Sequence, residues 1–213
     1  MYVPDVFKET DHDRVAQFIA RHPLATLIGV QEGKPVADHL PFLCLDTLAP
    51  GSTLIAHTSI SNPTWKLAEN RPEVLLVFSG ATAYVSPSLY PSKQQTHEVV
   101  PTYNYLSVHL RGHLEHSHER DTKLHHVTRL TEAMERTRAE PWSVDDAPAP
   151  YIEKMLKGLV ALTFTVTSIT AKTKASQNRL PQDQAGVARG LENDPATRDA
   201  AALVAARVTV SNP

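Results

Sequence analysis

The stretch VVPTYNYLSVHLRG, residues 99–112, constrains the chain more than any other. From 104 to 114 the side chains alternate as a strand requires. Leu106, Val108, Leu110 and Leu114 fall on one face, and Tyr105, Ser107, His109, Arg111 and His113 on the other. The first face is core. The second carries a phenol, a hydroxyl, two imidazoles and a guanidinium, and each such group buried without a partner costs about 1–3 kcal/mol. That face must meet water, a ligand or another subunit. Pro101 has no N–H and pushes Val100 into an extended conformation, which favours an edge or covered start to the strand. Tyr90, Tyr103 and Tyr105, with the amide of Asn104, are more hydrogen-bonding aromatic surface than a merely solvated face needs.

The remainder of the chain supplies partners for this strand. Thr10-Asp11-His12-Asp13 resembles a capping box, and the apolar spacing after it predicts a helix over 11–22, ended by Pro23. Residues 24–30 and 36–46 read as a hairpin about a turn at 31–34, with Pro41 demanding an edge or a bulge. A third strand is expected over 53–58. Asn62-Pro63 then starts a helix running to about Asn70. Strands follow over 74–79 and 81–86, turning at Gly80. A long helix is expected from Ser117 to about Arg138, with Leu124, Val127, Leu130 and Met134 inward. A short helix after Pro148 and Pro150 leads to a last strand over 159–170. The tail from Gln182 reads as one weak helix. Seven strands joined mostly by short turns imply a mostly β (α+β) chain: an antiparallel sheet closed as a barrel with helices at its ends. The division expected is a domain over 1–180 and a C-terminal helical extension over 181–213.

At 213 residues, 41% hydrophobic and 21% charged, the chain can bury a substantial core. No apolar run approaches the ~18–20 residues that cross a bilayer, and the N-terminus lacks the blocks of a signal peptide, so a cytoplasmic protein without membrane contact is expected. A net charge of -2 offers no overall attraction to a phosphate backbone. The single cysteine, Cys44, lies among Phe42, Leu43 and Leu45 and reads as a buried, inert thiol.

Two segments carry candidate chemistry. In residues 57–66, hydroxyls precede a helix start and Lys66 lies one turn in, a pattern suited to phosphate or equally to an ordinary capped helix. Trp65 reads as core. In residues 172–179, KTKASQNR, cations and amides are close enough to hold an anion or the carbonyl edge of a planar heterocycle, or to be a basic, solvated strand end. His116, His118, His125 and His126 lack a carboxylate at ligand spacing and read as a solvated face. No zinc motif, phosphate-binding glycine loop, dinucleotide fingerprint or nucleophile elbow occurs.

The blocks MYVPDVF (1–7), ADHLPF (37–42), SNPTWK (61–66), ATAYVSPSLY (81–90), VPTYNYLSVHLRG (100–112) and KASQNR (174–179), in this order, resemble the PaiB-like family of FMN-binding negative transcriptional regulators. The resemblance covers residues 1 to about 180. It implies a split β-barrel related to pyridoxamine-phosphate-oxidase-like flavoproteins, a homodimer, and FMN held between subunits. It implies that the flavin phosphate lies along 57–66, against His57, Ser59, Ser61, Asn62, Trp65 and Lys66. Tyr103, Asn104, Tyr105, Ser176, Gln177 and Asn178 would then face the ring or the substrate space, with His39 and His109 completing the cofactor set. Tyr103 stands where the family has tryptophan, and Ser88-Leu89-Tyr90 also lacks an indole. Two functions stay open: an FMN-binding regulator, meeting DNA directly or indirectly, and a flavin-dependent oxidoreductase with a small-molecule redox partner, or a haem-handling relative, on the same barrel. A dimer that has lost flavin is a third. No helix-turn-helix is evident, which weighs against direct DNA reading.

Overall fold

The computed structural model describes residues 1–69 and 72–208. Among them the chain runs β1 (Lys8–Glu9), α1 (His12–Arg21), β2 (Leu24–Gln31), β3 (Lys34–Pro41), β4 (Leu43–Cys44), β5 (Thr53–Ser59), a 3-10 helix (Pro63–Ala68) and β6 (Glu73–Val85). After a 3-10 turn (Pro87–Leu89) come α2 (Lys93–Thr96), β7 (Thr102–Ser117), α3 (Arg120–Glu135), a 3-10 turn (Val144–Asp146), α4 (Ala149–Lys157), β8 (Leu159–Lys174), α5 (Pro181–Glu192) and α6 (Arg198–Val208). Two compact units result. One takes the described residues of 1–11, 79–108 and 170–208; the other takes those of 12–78 and 109–169. The described residues of the expected C-terminal extension fall in the first unit, with the N-terminus and the segment 79–108.

The described strands form one antiparallel sheet in the order β3-β2-β6-β7-β8-β5-β4, with β1 added on β8. In the second unit, β2 and β3 are the expected hairpin. Its turn residues Glu32 and Gly33 have φ of 52° and 74°, the left-handed pair that a two-residue hairpin turn needs. Strands β3 and β4 lie at opposite ends of the strand order, yet only Phe42 separates them in the chain. The sheet of this unit must therefore curl round on itself, and Phe42 is 1% exposed at the closure. Pro41 ends β3, where no further ladder donor is needed. Leu27, Leu54, Leu76, Leu110, Leu162 and Phe164 are fully buried in this barrel. Residues Val15 and Ile19, four apart in α1, are buried too. No described helix is long and apolar enough to cross a membrane.

Several expected elements change form. Gly80 makes no turn, because it lacks the positive φ of a hairpin and β6 runs straight through it. The segment after Asn62 is six residues of 3-10 helix, and its expected end near Asn70 lies outside the described residues. Strand β7 begins earlier and ends later than its alternation suggests, and Asn104 is buried while Leu106 is only half-buried. Helix α3 starts at Arg120, since the Ser117 hydroxyl accepts from Glu119 N (3.1 Å) and holds a turn before it. Its inward residues are Lys123, His126 and Leu130; Leu124 and Val127 are half-buried and Met134 is 40% exposed. Strand β8 continues beyond the expected end at 170 to Lys174, so Lys172 and Lys174 stand on the strand.

The tail is two helices, not one. Gly186 and Gly190, one turn apart on α5, lie against Leu89: a Cβ at either would stand 2.4 Å from a Leu89 atom. The Asp183 carboxylate accepts from Ser92 N (3.0 Å) and Ser92 Oγ (2.8 Å). Val85, Tyr90, Ala175, Val187, Leu191 and Val204 then make the core of the first unit.

Candidate functional site

The second unit holds the expected phosphate segment. His57 is half-buried on β5, its Nδ1 buried and without a hydrogen-bond partner among the described residues, and burial pushes its pKa down, so the ring is neutral near pH 7. His126 of α3 lies nearby; its Nδ1–H donates to the Ala56 carbonyl (3.2 Å), and burial lowers its pKa as well. Ser59 Oγ accepts from Ser61 N (3.2 Å). Asn62 is extended, and its Oδ1 accepts from Thr64 N (3.0 Å), the cap that its sequence position promised.

The structure adds a residue that pattern reading missed. Asp38, on β3, accepts from the Asn62 amide and from its neighbour's N–H on His39 (2.7 Å), and the Thr64 hydroxyl stands 2.9 Å from it. Burial alone would raise the Asp38 pKa, but these three hydrogen bonds outweigh it and hold the carboxyl below the usual range. The start of the 3-10 helix is therefore occupied by the chain's own carboxylate. The Asn62 amide and the first helical N–H are committed, and six residues of 3-10 helix carry little dipole. What remains open to an anion is the pair of hydroxyls on Ser59 and Ser61, both exposed, and the exposed ammonium of Lys66.

Lys66 Nζ lies 5.7 Å from the Trp65 ring. Trp65 is half-buried, not core: its Nε1–H donates to Ile60 O (3.2 Å), and His116 and His118 flank its ring at 5.1 and 5.2 Å. The i, i+2 spacing of these histidines along an extended segment was the available signal. His39 is exposed and enters the cluster through its backbone alone. His109 is half-buried on β7 with its pKa lowered by burial, while Arg111 on the same strand pairs with Glu73 (3.2 Å). Among the described residues no three His, Cys, Asp or Glu side chains could hold a metal ion. Cys44 is half-buried; its thiol donates to Asp46 O (3.2 Å) and burial pushes its pKa up, consistent with an inert thiol.

The first unit holds the other expected residues. Asn104 is fully buried and its amide donates to Ser176 Oγ (2.9 Å), which is itself 3% exposed in a left-handed backbone (φ 62°). Gln177 closes the same turn, donating to Thr173 O (2.6 Å) and accepting from Ala175 N (2.7 Å). These three are spent on the protein's own groups. Asn178 is exposed. Tyr103 is 56% exposed, edge-on to Tyr84 at 5.6 Å, and Tyr105 is half-buried beneath Lys172, whose Nζ lies 5.3 Å from the ring. Tyr90 is buried against the Arg179 guanidinium (5.0 Å), and burial pushes its phenol up.

Comparison with known proteins agrees with these features. Residues 1–168 match the family described as "Putative FMN-binding domain". The chain is 33% identical over 194 residues to the Bacillus subtilis "Protease synthase and sporulation protein PAI 2", covering 91% of this chain and 90% of that one. Two solved structures share the fold with a TM-score of 0.57 each. The FAD and heme binding protein of Mycobacterium smegmatis is 21% identical, with 78% and 73% of the two chains covered. The flavocytochrome Anf3 of Azotobacter vinelandii is 17% identical, with 79% and 69% covered. An antiparallel sheet curled on itself, six sequence blocks in family order and identity along nine-tenths of a curated relative converge: the chain belongs to the PaiB-like family of FMN-binding split-barrel proteins, whose cofactor is FMN.

Proposed function

We propose that the protein is an FMN-binding regulator of transcription in which Lys66, with the Ser59 and Ser61 hydroxyls, holds the flavin phosphate. The observation that carries the flavin part is that Ser59, Ser61 and Lys66, within one short segment, are all exposed, and that among the described residues the Lys66 ammonium meets the Trp65 ring and no carboxylate. An ammonium and hydroxyl donors suit a phosphate dianion, so the residues fit the group. Asp38 shapes the approach. Hydrogen-bonded by three groups, it stays ionised and repels an anion from Asn62, which leaves the Lys66 side as the favoured one.

Bound FMN would supply an isoalloxazine ring able to take up and release electrons; the chain's own residues bind and orient it. Because His57 is neutral at physiological pH, it adds no positive charge to the site. Loss of one charge-assisted hydrogen bond costs about 1.5–3 kcal/mol, about ten- to a hundredfold in affinity. Lys66→Ala should weaken FMN by that factor in a flavin-fluorescence titration and weaken riboflavin, which lacks the phosphate, much less. Equal loss for both ligands would refute the phosphate role of Lys66.

The regulator reading follows the family resemblance, and a chain at net -2 makes sequence-specific base reading an unsuitable route. Binding to random duplex should be weak and depend little on salt; tight, steeply salt-dependent binding would show direct DNA contact instead. A homodimer in the cytoplasm completes the proposal. It is supported by the exposed Tyr84–Tyr103 pair, aromatic surface of the kind interface cores use. A monomer in sedimentation at micromolar concentration would remove it. The second reading, a flavin oxidoreductase or haem-binding protein, is favoured by the names of the two solved structures of this fold. The absorption spectrum of the purified protein separates flavin from haem.

A further inference from the structure

The end of β8 in the first unit carries charge in a pattern that folding alone does not favour. Period-two alternation puts Lys172 and Lys174 on one face of the strand and Thr173 on the other. Strand β1 pairs antiparallel here with Lys8 directly opposite Lys172 and Glu9 opposite Ala171. Residues directly opposite share a face, so Lys8 joins the two lysines while Glu9 falls on the reverse side, where Thr173 Oγ1 donates to its carboxylate (3.4 Å). Like charges directly opposed destabilise a sheet. One register step would have set Glu9 against a lysine; this register does not.

Lys172, Lys174 and Arg179 each meet an aromatic ring. Lys172 Nζ lies 5.3 Å from the Tyr105 ring and 5.9 Å from Tyr2, and donates to Tyr2 O (3.2 Å). Lys174 Nζ lies 5.9 Å from Phe7 and donates to the Thr102 hydroxyl. The Arg179 guanidinium lies 5.0 Å from Tyr90. Lys174, Lys172 and Arg179 are half-buried. Among the described residues none of these cations, nor Lys8, forms an ion pair. Partial burial lowers the Lys174 pKa, and the positive charges of Lys172 and Arg179 lower it further, so the cluster repels itself. A local cost of this kind, met by rings and neutral oxygens but by no carboxylate among the described residues, is expected at a binding site.

We propose that this face binds a small aromatic carboxylate. The carboxylate supplies the missing counter-charge: lysine ammoniums and a guanidinium fork all suit it, and the fork can grip it with two parallel hydrogen bonds. Tyr2, 83% exposed, and Tyr105, half-buried, supply flat apolar surface for a ring, so the body of the ligand is as well matched as its head. The site uses none of Ser59, Ser61 and Lys66, and so is built from different residues than the proposed flavin phosphate site.

The test is calorimetric titration of the full-length protein, as purified and at low salt, with benzoate, its neutral counterpart benzamide, inorganic phosphate and random duplex DNA. Benzoate should bind saturably, with benzamide and inorganic phosphate each at least tenfold weaker. Lys172→Gln and, independently, Lys174→Met should each weaken benzoate at least fivefold while leaving FMN affinity unchanged; Lys172 is the partner whose ammonium reaches solvent, so its substitution guards against a folding defect at Lys174. Benzamide binding as well as benzoate would make the cations irrelevant, and phosphate binding as well as benzoate would make the rings irrelevant. Competition between benzoate and FMN would make this the flavin phosphate site, and duplex DNA binding that displaces benzoate would make it a nucleic-acid contact. Each of these four results overturns the proposal.

Discussion

The buried pair Asn104–Ser176 offers the sharpest test of how the first unit is held. Asn104 has no exposed surface and Ser176 is 3% exposed, so neither can turn to water when its partner is removed. Asn104→Leu, close in volume, deletes the 2.9 Å bond and strands the Ser176 hydroxyl; Ser176→Ala strands the Asn104 amide. Each single change should cost about 1–3 kcal/mol, the desolvation penalty of one orphaned polar group. At roughly 2–4 °C per kcal/mol for a chain of this size, that is about 2–12 °C in melting temperature. The pair of changes together orphans neither group. The double variant should therefore be more stable than the sum of the singles predicts, by about 0.5–3 kcal/mol of coupling. Ser and Ala bear the positive φ at position 176 equally, so backbone strain cancels from the cycle. Urea denaturation followed by circular dichroism on the four proteins reads the coupling directly. Additivity to within about 0.5 kcal/mol would refute the reasoning, since it would mean the two side chains do not depend on each other.

Gly112→Ala should lower stability at or beyond the top of the roughly 1–3 kcal/mol range of overpacking, because the new methyl would lie 2.1 Å from the Thr165 carbonyl oxygen and 2.6 Å from Phe164 Cζ; an unchanged thermal melt would contradict that contact. His57 and His126 have folded pKa values below the ordinary 6.5, so the stability tied to their neutral forms is complete above about pH 6.5 and lost as pH falls through the folded values. Denaturation midpoints should be flat above neutrality and decline in the acid direction, and His126→Gln should shallow that decline; equal slopes for the two proteins would show that other groups control it.

Much of this protein could be read from its residues alone. The hairpin about Glu32-Gly33 follows from local backbone preference, and the apolar alternation of β7 and β8 from the period of a strand. The Asn62 cap needed only an amide two residues before an N–H. Such features are decided by neighbours in the chain, and the order of six short blocks was enough to reach the family. Tertiary structure decided the rest. Asp38 lies 24 residues before Asn62, and nothing in its own surroundings announces that it will take up the donors expected for a phosphate. Asn104 has the sequence look of a ligand-facing amide, yet a serine 72 residues away claims it. The tail reads as one weak helix, yet Gly186 and Gly190 pack on Leu89 and let α5 come close. Lys8 and Lys172 became neighbours only through the register of β1 on β8. In each case the deciding contact joins residues distant in sequence, so local propensity and spacing carry no record of it; only the closed sheet and the packed tail bring the partners within reach.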